Sequence, residues 1–114
     1  MTIRVEHQGD VVVVTPQGIL TGDPDTDDLH GQLDALIEAG ERKVLLNLSE
    51  TTFLTSRAFG VIIVVHSKAK KNKTVLYTCG MQPRVLKVIQ IIRVTGWPKQ
   101  FDTYELALEA LSKL

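Results

Sequence analysis

The first part of the chain has the apolar pattern of a β-hairpin. Ile3, Val5 and His7 alternate with polar residues, and a run of four valines at 11–14 follows a turn signal at 8–10. Alternation is typical of a strand that is buried on one face, whereas a continuous β-branched run indicates a strand that is buried on both faces. The two segments therefore predict two strands joined by a tight turn.

The next segment has the pattern of a helix that ends near Gly40. Asp23 can cap the unpaired amide groups at its start, and Pro24 suits the first helical position. Glycine is a favourable residue at the end of a helix. The apolar side chains in between recur at helical spacing: Leu29, Leu33, Leu36 and Ile37.

Two further helices are predicted in the last third of the chain. One runs from Pro83 to Gly96 and places its apolar side chains on one side: Val85, Leu86, Ile89 and Ile92. The other follows residues 102–105, which resemble a capping box with Asp102 as the cap. Its apolar positions are Leu108, Leu111 and Leu114.

Short strands are expected between these helices. Residues 43–48 and 74–79 are apolar runs of strand length, and a third short strand is expected near Phe101. Strands that alternate with helices indicate a mixed sheet with helices packed against it.

Residues 56–72 combine the composition of a strand with the flanks of a helix. The apolar run at 61–65 has strong β propensity. Thr55 and Ser56, however, are good N-caps, and the other end holds three lysines, which a helix C-terminus favours. Asn72 can take the left-handed conformation that closes a helix. The flanks favour a helix over 56–71, whose middle must then be deeply packed or contact a partner.

The composition indicates a small domain with an aliphatic core. The chain has 114 residues, of which 44% are hydrophobic and only 5% aromatic, so one domain over residues 1–114 is expected. The longest apolar run has five residues, the N-terminus lacks the pattern of a signal peptide, and a single cysteine cannot form an internal disulfide. These features predict a soluble cytoplasmic protein with no membrane insertion.

The charges balance in number but not along the chain. Thirteen basic and thirteen acidic residues give a formal net charge of zero, which argues against nucleic acid as a partner. The first 60 residues hold ten acidic and four basic residues, and the remainder holds three acidic and nine basic residues. Either each helix has a solvated charged face, or the surface has two signs that orient a charged partner.

No residues have the spacing of a catalytic or metal site. His7, His30 and His66 lie far apart, and Ser56 and His66 would be ~15 Å apart on a straight helix, too far for a nucleophile and its base. The chain lacks the Lys-Ser/Thr of a phosphate-binding loop. The aspartates at 23–28 are not followed by the glycine and glutamate of a calcium loop. An enzyme, a metal ion and a cofactor are therefore not expected.

The order of the elements resembles that of the STAS domain, the fold of bacterial anti-sigma factor antagonists. Residues 18–20 resemble the Gly-x-Leu that ends the family's second strand, and residues 44–48 resemble its third strand. Residues 53–62 (FLTSRAFGVI) resemble the stretch in which an apolar pair precedes Asp-Ser-Ser/Thr-Gly-Leu-Gly. Residues 83–87 and Gly96 resemble the start and end of the third family helix. The resemblance covers nearly the whole chain and implies an α/β fold, a STAS-like mixed β-sheet with four helices packed against it.

The resemblance implies a regulatory binding module and not an enzyme. Members of the family bind an anti-sigma factor that is also a serine kinase with a histidine-kinase-like ATPase fold, and this binding frees the sigma factor. The kinase phosphorylates the serine after the Asp of the motif, which switches the antagonist off. That serine corresponds to Ser56, and the implied partner-binding residues are Thr55, Ser56, Arg57 and Phe59.

The motif departs from the family pattern at two places. Thr55 stands where the family has Asp, and Arg57-Ala58 stands where it has Ser/Thr-Gly. The alternative is therefore a non-phosphorylated interaction subunit of a signalling scaffold or a lipid-transport complex, in which Ser56 only caps a helix. Arg57 is either a solvated residue of the first turn or a residue that pairs with a phosphate or with a carboxylate of the binding partner. The sequence does not indicate an oligomeric state.

Overall fold

The first two strands form the hairpin that the apolar pattern predicts. The computed structural model describes residues 2–20, 25–83, 85–87 and 97–114. Strand β1 (Thr2–Gln8) pairs antiparallel with β2 (Val11–Leu20) across a two-residue turn. Gly9 begins this turn with φ 63°, a left-handed backbone that glycine adopts without strain because it has no Cβ.

Four further strands complete a mixed sheet: β3 (Lys43–Asn47), β4 (Thr51–Leu54), β5 (Val75–Cys79) and β6 (Lys99–Phe101). The strand order is β1-β2-β3-β5-β6, and β4 pairs with the end of β2. All of these strand pairs are parallel except that of β1 with β2. The predicted strands at 43–48, 74–79 and near Phe101 are therefore confirmed.

The apolar pattern did not predict β4. Its two ends, Thr51 and Leu54, are buried, and the two residues between them are exposed, so only four residues carry the signal. The strand is defined by its partner, since Phe53 and Leu54 pair with Ile19 and Leu20 at the end of β2. Propensity alone rarely identifies a strand this short, because its stability comes from cross-strand contacts.

Helix α1 comprises Asp25–Glu38, α2 comprises Ser56–Lys71 and α3 comprises Tyr104–Ser112. The prediction of a helix over 56–71 is confirmed, although its middle has β propensity. The predicted start of α1 at 23–24 lies outside the described residues. Pro83 and residues 85–87 have helical backbone, and the rest of that predicted helix, up to Gly96, also lies outside. Within the described ranges no helix is long and apolar enough to cross a membrane.

The sheet lies between two helical layers. On one face, α1 and α2 cover a cluster of buried aliphatic side chains that includes Val14, Leu29, Leu33, Leu46, Ile62 and Val65. On the other face, α3 covers a smaller cluster that includes Val11, Val13, Leu45, Ala107 and Leu111. The valines of β2 are at most 3% exposed and contribute to both clusters, as their β-branched run predicts. The α/β fold with helices against a mixed sheet is confirmed.

Two predicted helix ends are shifted by one residue. Thr103, not Asp102, caps α3, and its hydroxyl accepts a hydrogen bond from the N–H of Leu106 at 3.2 Å. At the end of α2, Asn72 has φ −102° and is not left-handed, whereas Lys73 has φ 60°. The Asn72 side chain instead donates to the carbonyl of Lys68 at 2.9 Å, which pairs a carbonyl of the last turn.

Candidate partner-binding site

Ser56 is the first residue of α2, and it is exposed. The strand β4 leads into this helix, with Leu54 buried and paired with Leu20 of β2. The buried end of β4 therefore fixes the point at which the chain leaves the sheet. It presents Ser56 on the surface, beside the carboxyl ends of two parallel strands.

Thr55 is the cap of α2. Its backbone is extended (φ −79°, ψ 165°), and its hydroxyl accepts a hydrogen bond from the N–H of Ala58 at 3.2 Å. The interpretation of Ser56 as the cap is therefore wrong, because the hydroxyl one residue earlier faces the first turn. Asp is also a good N-cap, so Thr55 can take over the capping role that the family's Asp would have at this position. Ser56 is left with a surface position and no capping role.

The start of α2 is suited to a negative group. Its first turn contains no acidic residue, whereas its last turn contains three lysines: Lys68, Lys70 and Lys71. The amide groups and the helix dipole at an N-terminus stabilise anions. A phosphate on Ser56 would therefore be compatible with the folded helix, and it would change the charge of the surface.

Arg57 connects the first turn of α2 to α1. Its guanidinium lies 2.5 Å from a carboxylate oxygen of Asp27, and both side chains are about half exposed, at 47% and 56%. This contact is an ion pair within the chain, so the two interpretations of Arg57, a solvated residue of the first turn or a residue that pairs with a phosphate or with a carboxylate of the binding partner, both stay predictions.

Phe59 packs inward and is only partly accessible. Its ring lies 5.5 Å from the ring of Trp97, with an angle of 52° between the planes, and it adjoins the core cluster under α2. The Nε1 atom of Trp97 is buried and has no hydrogen-bond partner within the described residues. This contact links the first turn of α2 to the segment that precedes β6.

The two elements that meet at Ser56, β4 and α2, each carry an exposed large apolar side chain. Phe53 on β4 and Val64 on α2 are 47% and 57% exposed. On the outer side of α2, Ser56, Gly60 and Val64 are exposed at intervals of four residues, and a helix places such residues on one face. The inner side of α2 is buried: Ala58, Ile62, Val65 and Ala69. Phe53 was not expected as a contact residue, because strand β4, which exposes it, was not predicted from the apolar pattern.

Ion pairs between α1 and α2 account for part of the charge asymmetry. Lys68 lies 2.8 Å from Glu38 and 3.5 Å from Asp34, and Arg57 pairs with Asp27. The hydrogen bond from Lys68 lowers the pKa of Glu38. The acidic first half and the basic second half of the chain thus meet where these two helices pack.

The other candidate groups that the structure describes do not include Ser56. Within the described ranges no cluster of three His, Cys, Asp or Glu side chains could hold a metal ion. Two open grooves, of about 470 and 250 Å³, have other linings, the first around Lys43 and the second around Asn47. Cys79 is fully buried, and burial raises the pKa of its thiol to about 12. It is a small core residue, as its position in a strand predicts.

Comparisons with known proteins agree with this fold. The family model of the STAS domain matches residues 2–107. BtrV of Bordetella bronchiseptica, which is named as an anti-sigma factor antagonist, is 23% identical over 91 residues, which is 80% of this chain and 78% of BtrV. A candidate anti-sigma factor antagonist of Thermotoga maritima has a TM-score of 0.86 at 20% identity, with 96% of this chain and 94% of the other covered. The phosphorylated form of SpoIIAA, a Bacillus cell fate determinant, has a TM-score of 0.72 at 17% identity, with 96% and 98% covered.

Proposed function

Since the chain belongs to the STAS domain family, we propose that it acts as an anti-sigma factor antagonist. In this role it binds an anti-sigma factor through the surface around Ser56 and so frees a sigma factor. The name of BtrV and the fold of the Thermotoga protein support this choice among the functions of the family. The protein contributes a binding surface and no catalytic group.

The exposed position of Ser56 at the first residue of a capped helix carries this proposal. Because Thr55 provides the cap, Ser56 can be modified without loss of a helix-stabilising hydrogen bond. A kinase must reach the hydroxyl of its substrate, and a residue at the surface of a first turn allows that. The phosphorylated form of SpoIIAA shows that the same fold accepts a phosphate.

The partner in this proposal is an anti-sigma factor that is also a serine kinase with a histidine-kinase-like ATPase fold. The kinase transfers the terminal phosphoryl group of ATP to Oγ of Ser56, and the products are phosphoserine, ADP and a proton. The phosphate adds about −1.5 to −2 charges. The helix N-terminus stabilises this charge, so we expect the fold to persist and the partner contact to weaken.

The contact surface would extend from Ser56 to the exposed apolar side chains beside it. Phe53 and Val64 are the exposed large apolar residues nearest to Ser56 along β4 and α2. Burial of these apolar side chains would provide affinity for the partner, and a phosphate on Ser56 would lower that affinity. Arg57 and Phe59 would contribute mainly through their contacts with Asp27 and Trp97, which hold the first turn in place.

One observation favours the alternative, a STAS interaction subunit that is not phosphorylated. The first turn of α2 has no acidic residue, and Thr55 provides a hydroxyl where the family has a carboxylate. If that carboxylate helps the kinase to orient the acceptor, Ser56 is modified slowly or not at all. The protein would then hold its partner in a signalling scaffold or a lipid-transport complex without a phosphate switch.

Incubation with ATP and the anti-sigma kinase of the same organism, followed by intact-mass measurement, separates the two functions. We expect one phosphate on the wild type and none on Ser56→Ala. Ser67→Ala is the matched control, because Ser67 is also exposed on α2. We further expect Ser56→Asp to bind the kinase more weakly than the wild type does. Ser56→Ala should bind the kinase as tightly as the wild type does. Absence of phosphate together with equal binding by the Asp variant would exclude the switch and support the interaction subunit.

A further inference from the structure

Among the residues that the structure describes, no strand pairs with the outer edge of β1. β1 lies at one end of the strand order, and β2 is the one strand that pairs with it in the described part of the chain. Residues 4–8 are all exposed, and Val5 is one of the exposed large apolar residues, at 39%. Edge strands of this length can pair with a further strand unless their sequence prevents it.

The hairpin register determines which backbone groups face outward. Gln8 and Val11 flank the two-residue turn and pair with each other. Such flanking residues exchange both hydrogen bonds, and hydrogen-bonded pairs then alternate along the ladder. Glu6 and Arg4 therefore direct their backbone groups towards β2. Those of the intervening residues point away from β2: His7, Val5 and Ile3.

Pro16 supports this register independently. It lies opposite Ile3 and has no N–H to donate, so the pair cannot exchange two hydrogen bonds. Its carbonyl accepts a hydrogen bond from the hydroxyl of Thr51 at 2.9 Å, and Thr51 belongs to β4, not to β1. The backbone groups of Pro16 thus point away from β1, as the alternation requires for the residue opposite Ile3.

We propose that this edge pairs with β1 of a second copy of the chain, antiparallel and centred on Val5. In that register Val5 faces Val5, and Ile3 of each copy faces His7 of the other. These three pairs are the ones whose backbone groups point outward, so the contact would form about six main-chain hydrogen bonds. The result is a symmetric dimer with one sheet that continues through both copies.

The order of charges on β1 selects this partner. In the proposed register, Arg4 of each copy faces Glu6 of the other in a pair without hydrogen bonds, where side chains lie closest. A parallel, in-register pairing would instead align like charges. Charged residues usually protect a strand edge from pairing. Here, however, an antiparallel copy of β1 brings opposite charges together, because its strand direction is reversed. Within one chain, Arg4 lies 2.7 Å from Glu6, so the two side chains lie on the same face of β1, and the second copy would share or replace this ion pair.

The proposed contact is small. A single strand edge buries less than the roughly 1,200–2,000 Å² of a standard interface, so we expect a weak dimer that forms as the protein concentration rises. The first experiment is sedimentation velocity of the full chain over a wide concentration range. A shift from monomer to dimer is expected, and a sedimentation coefficient that stays at the monomer value at every concentration would overturn the proposal.

Charge-reversed variants test the register. Arg4→Glu and Glu6→Arg each place like charges at two contacts, so each should weaken self-association by at least about tenfold. A mixture of the two variants should recover a heterodimer, and the double variant Arg4→Glu/Glu6→Arg should recover the homodimer. Glu50→Gln is the control, since it removes the second partner of Arg4 and leaves β1 unchanged. Failure of both recoveries, with wild-type dimers present, would contradict this register.

A proline variant tests the backbone contact. Val5→Pro removes an N–H that points outward and so leaves the hydrogen bonds to β2 in place, as proline on an edge strand allows. Dimer formation should be lost while the circular dichroism spectrum is retained. Val5→Thr keeps the N–H and should retain the dimer. Dimers that persist in the folded Val5→Pro variant would show that the copies associate elsewhere.

Discussion

The ring of Phe59 in the first turn of α2 lies 5.5 Å from the ring of Trp97, which precedes β6. Trp97 is the single tryptophan of the chain, so its fluorescence reports on the helix that begins with Ser56. The contact joins residues that are distant in the sequence. It therefore makes the position of the first turn depend on packing against a second part of the chain.

Replacement of Phe59 by Leu should change the emission of Trp97 and lower the free energy of unfolding by about 1 kcal/mol. The loss of the aromatic contact and the smaller side chain both contribute. Phe53→Leu is the matched control, since Phe53 is 47% exposed on β4. Urea titration followed by tryptophan fluorescence measures both effects. Equal stability of the two variants would show that the contact does not support the first turn.

Thr55→Ala should destabilise the protein more than Ser56→Ala does. The first change removes the hydroxyl that caps α2 and should cost about 1 kcal/mol. The second changes an exposed first-turn residue and should cost at most about 0.5 kcal/mol. Chemical denaturation of both variants provides the comparison, and Thr55→Asp should restore most of the loss. A larger loss of stability in Ser56→Ala than in Thr55→Ala would show that Ser56, and not Thr55, caps α2.

These two residues show how far the sequence could predict the site. The helix over 56–71 was predictable, because lysines and hydroxyl residues at its ends outweigh the β propensity of its middle. Which of two adjacent hydroxyls is the cap was not predictable, since both types suit the position and only the backbone turn decides. The same ambiguity explains the shift from Asp102 to Thr103 in α3.

Long-range contacts account for the other differences. β4 exists because the end of β2 offers it a partner, and no local pattern of four residues indicates that. The pairing of Arg57 with Asp27 depends on how α1 and α2 pack, so the sequence left two interpretations of Arg57 open. The valine run of β2, by contrast, was predictable from the local sequence. Its burial on both faces follows from its composition alone.

Cys79 should not react with a thiol reagent in the folded protein at neutral pH. It is fully buried, and burial raises the pKa of the thiol from 9.0 to about 12. Only the thiolate is strongly nucleophilic, so reaction should require unfolding. Modification rates measured against urea concentration should therefore follow the unfolding transition. Rapid modification without denaturant would show that β5 opens locally.

The same thiol predicts a loss of stability in alkali. Because the pKa is higher in the folded state, this group's contribution is fully present below pH 9.0 and decreases as the pH rises towards 12. Thermal unfolding of the wild type and of Cys79→Ala over this interval isolates the effect, and the variant should lose less stability. Parallel curves for the two proteins would assign the alkaline loss to other groups.

The ion pair between Arg57 and Asp27 allows fold and binding to be separated. Arg57→Glu places two carboxylates together and should cost no more than about 1 kcal/mol of stability, since both side chains are half exposed. The double variant Arg57→Glu/Asp27→Arg restores an ion pair with its signs exchanged, so stability should recover.

If the partner contacts the charge at position 57 directly, both variants should bind the anti-sigma factor more weakly than the wild type. If Arg57 acts only by holding the first turn, the double variant should bind as the wild type does. Calorimetric affinity for the anti-sigma factor, measured beside urea denaturation, distinguishes these outcomes, and unchanged affinity in both variants would place the interface away from the first turn of α2.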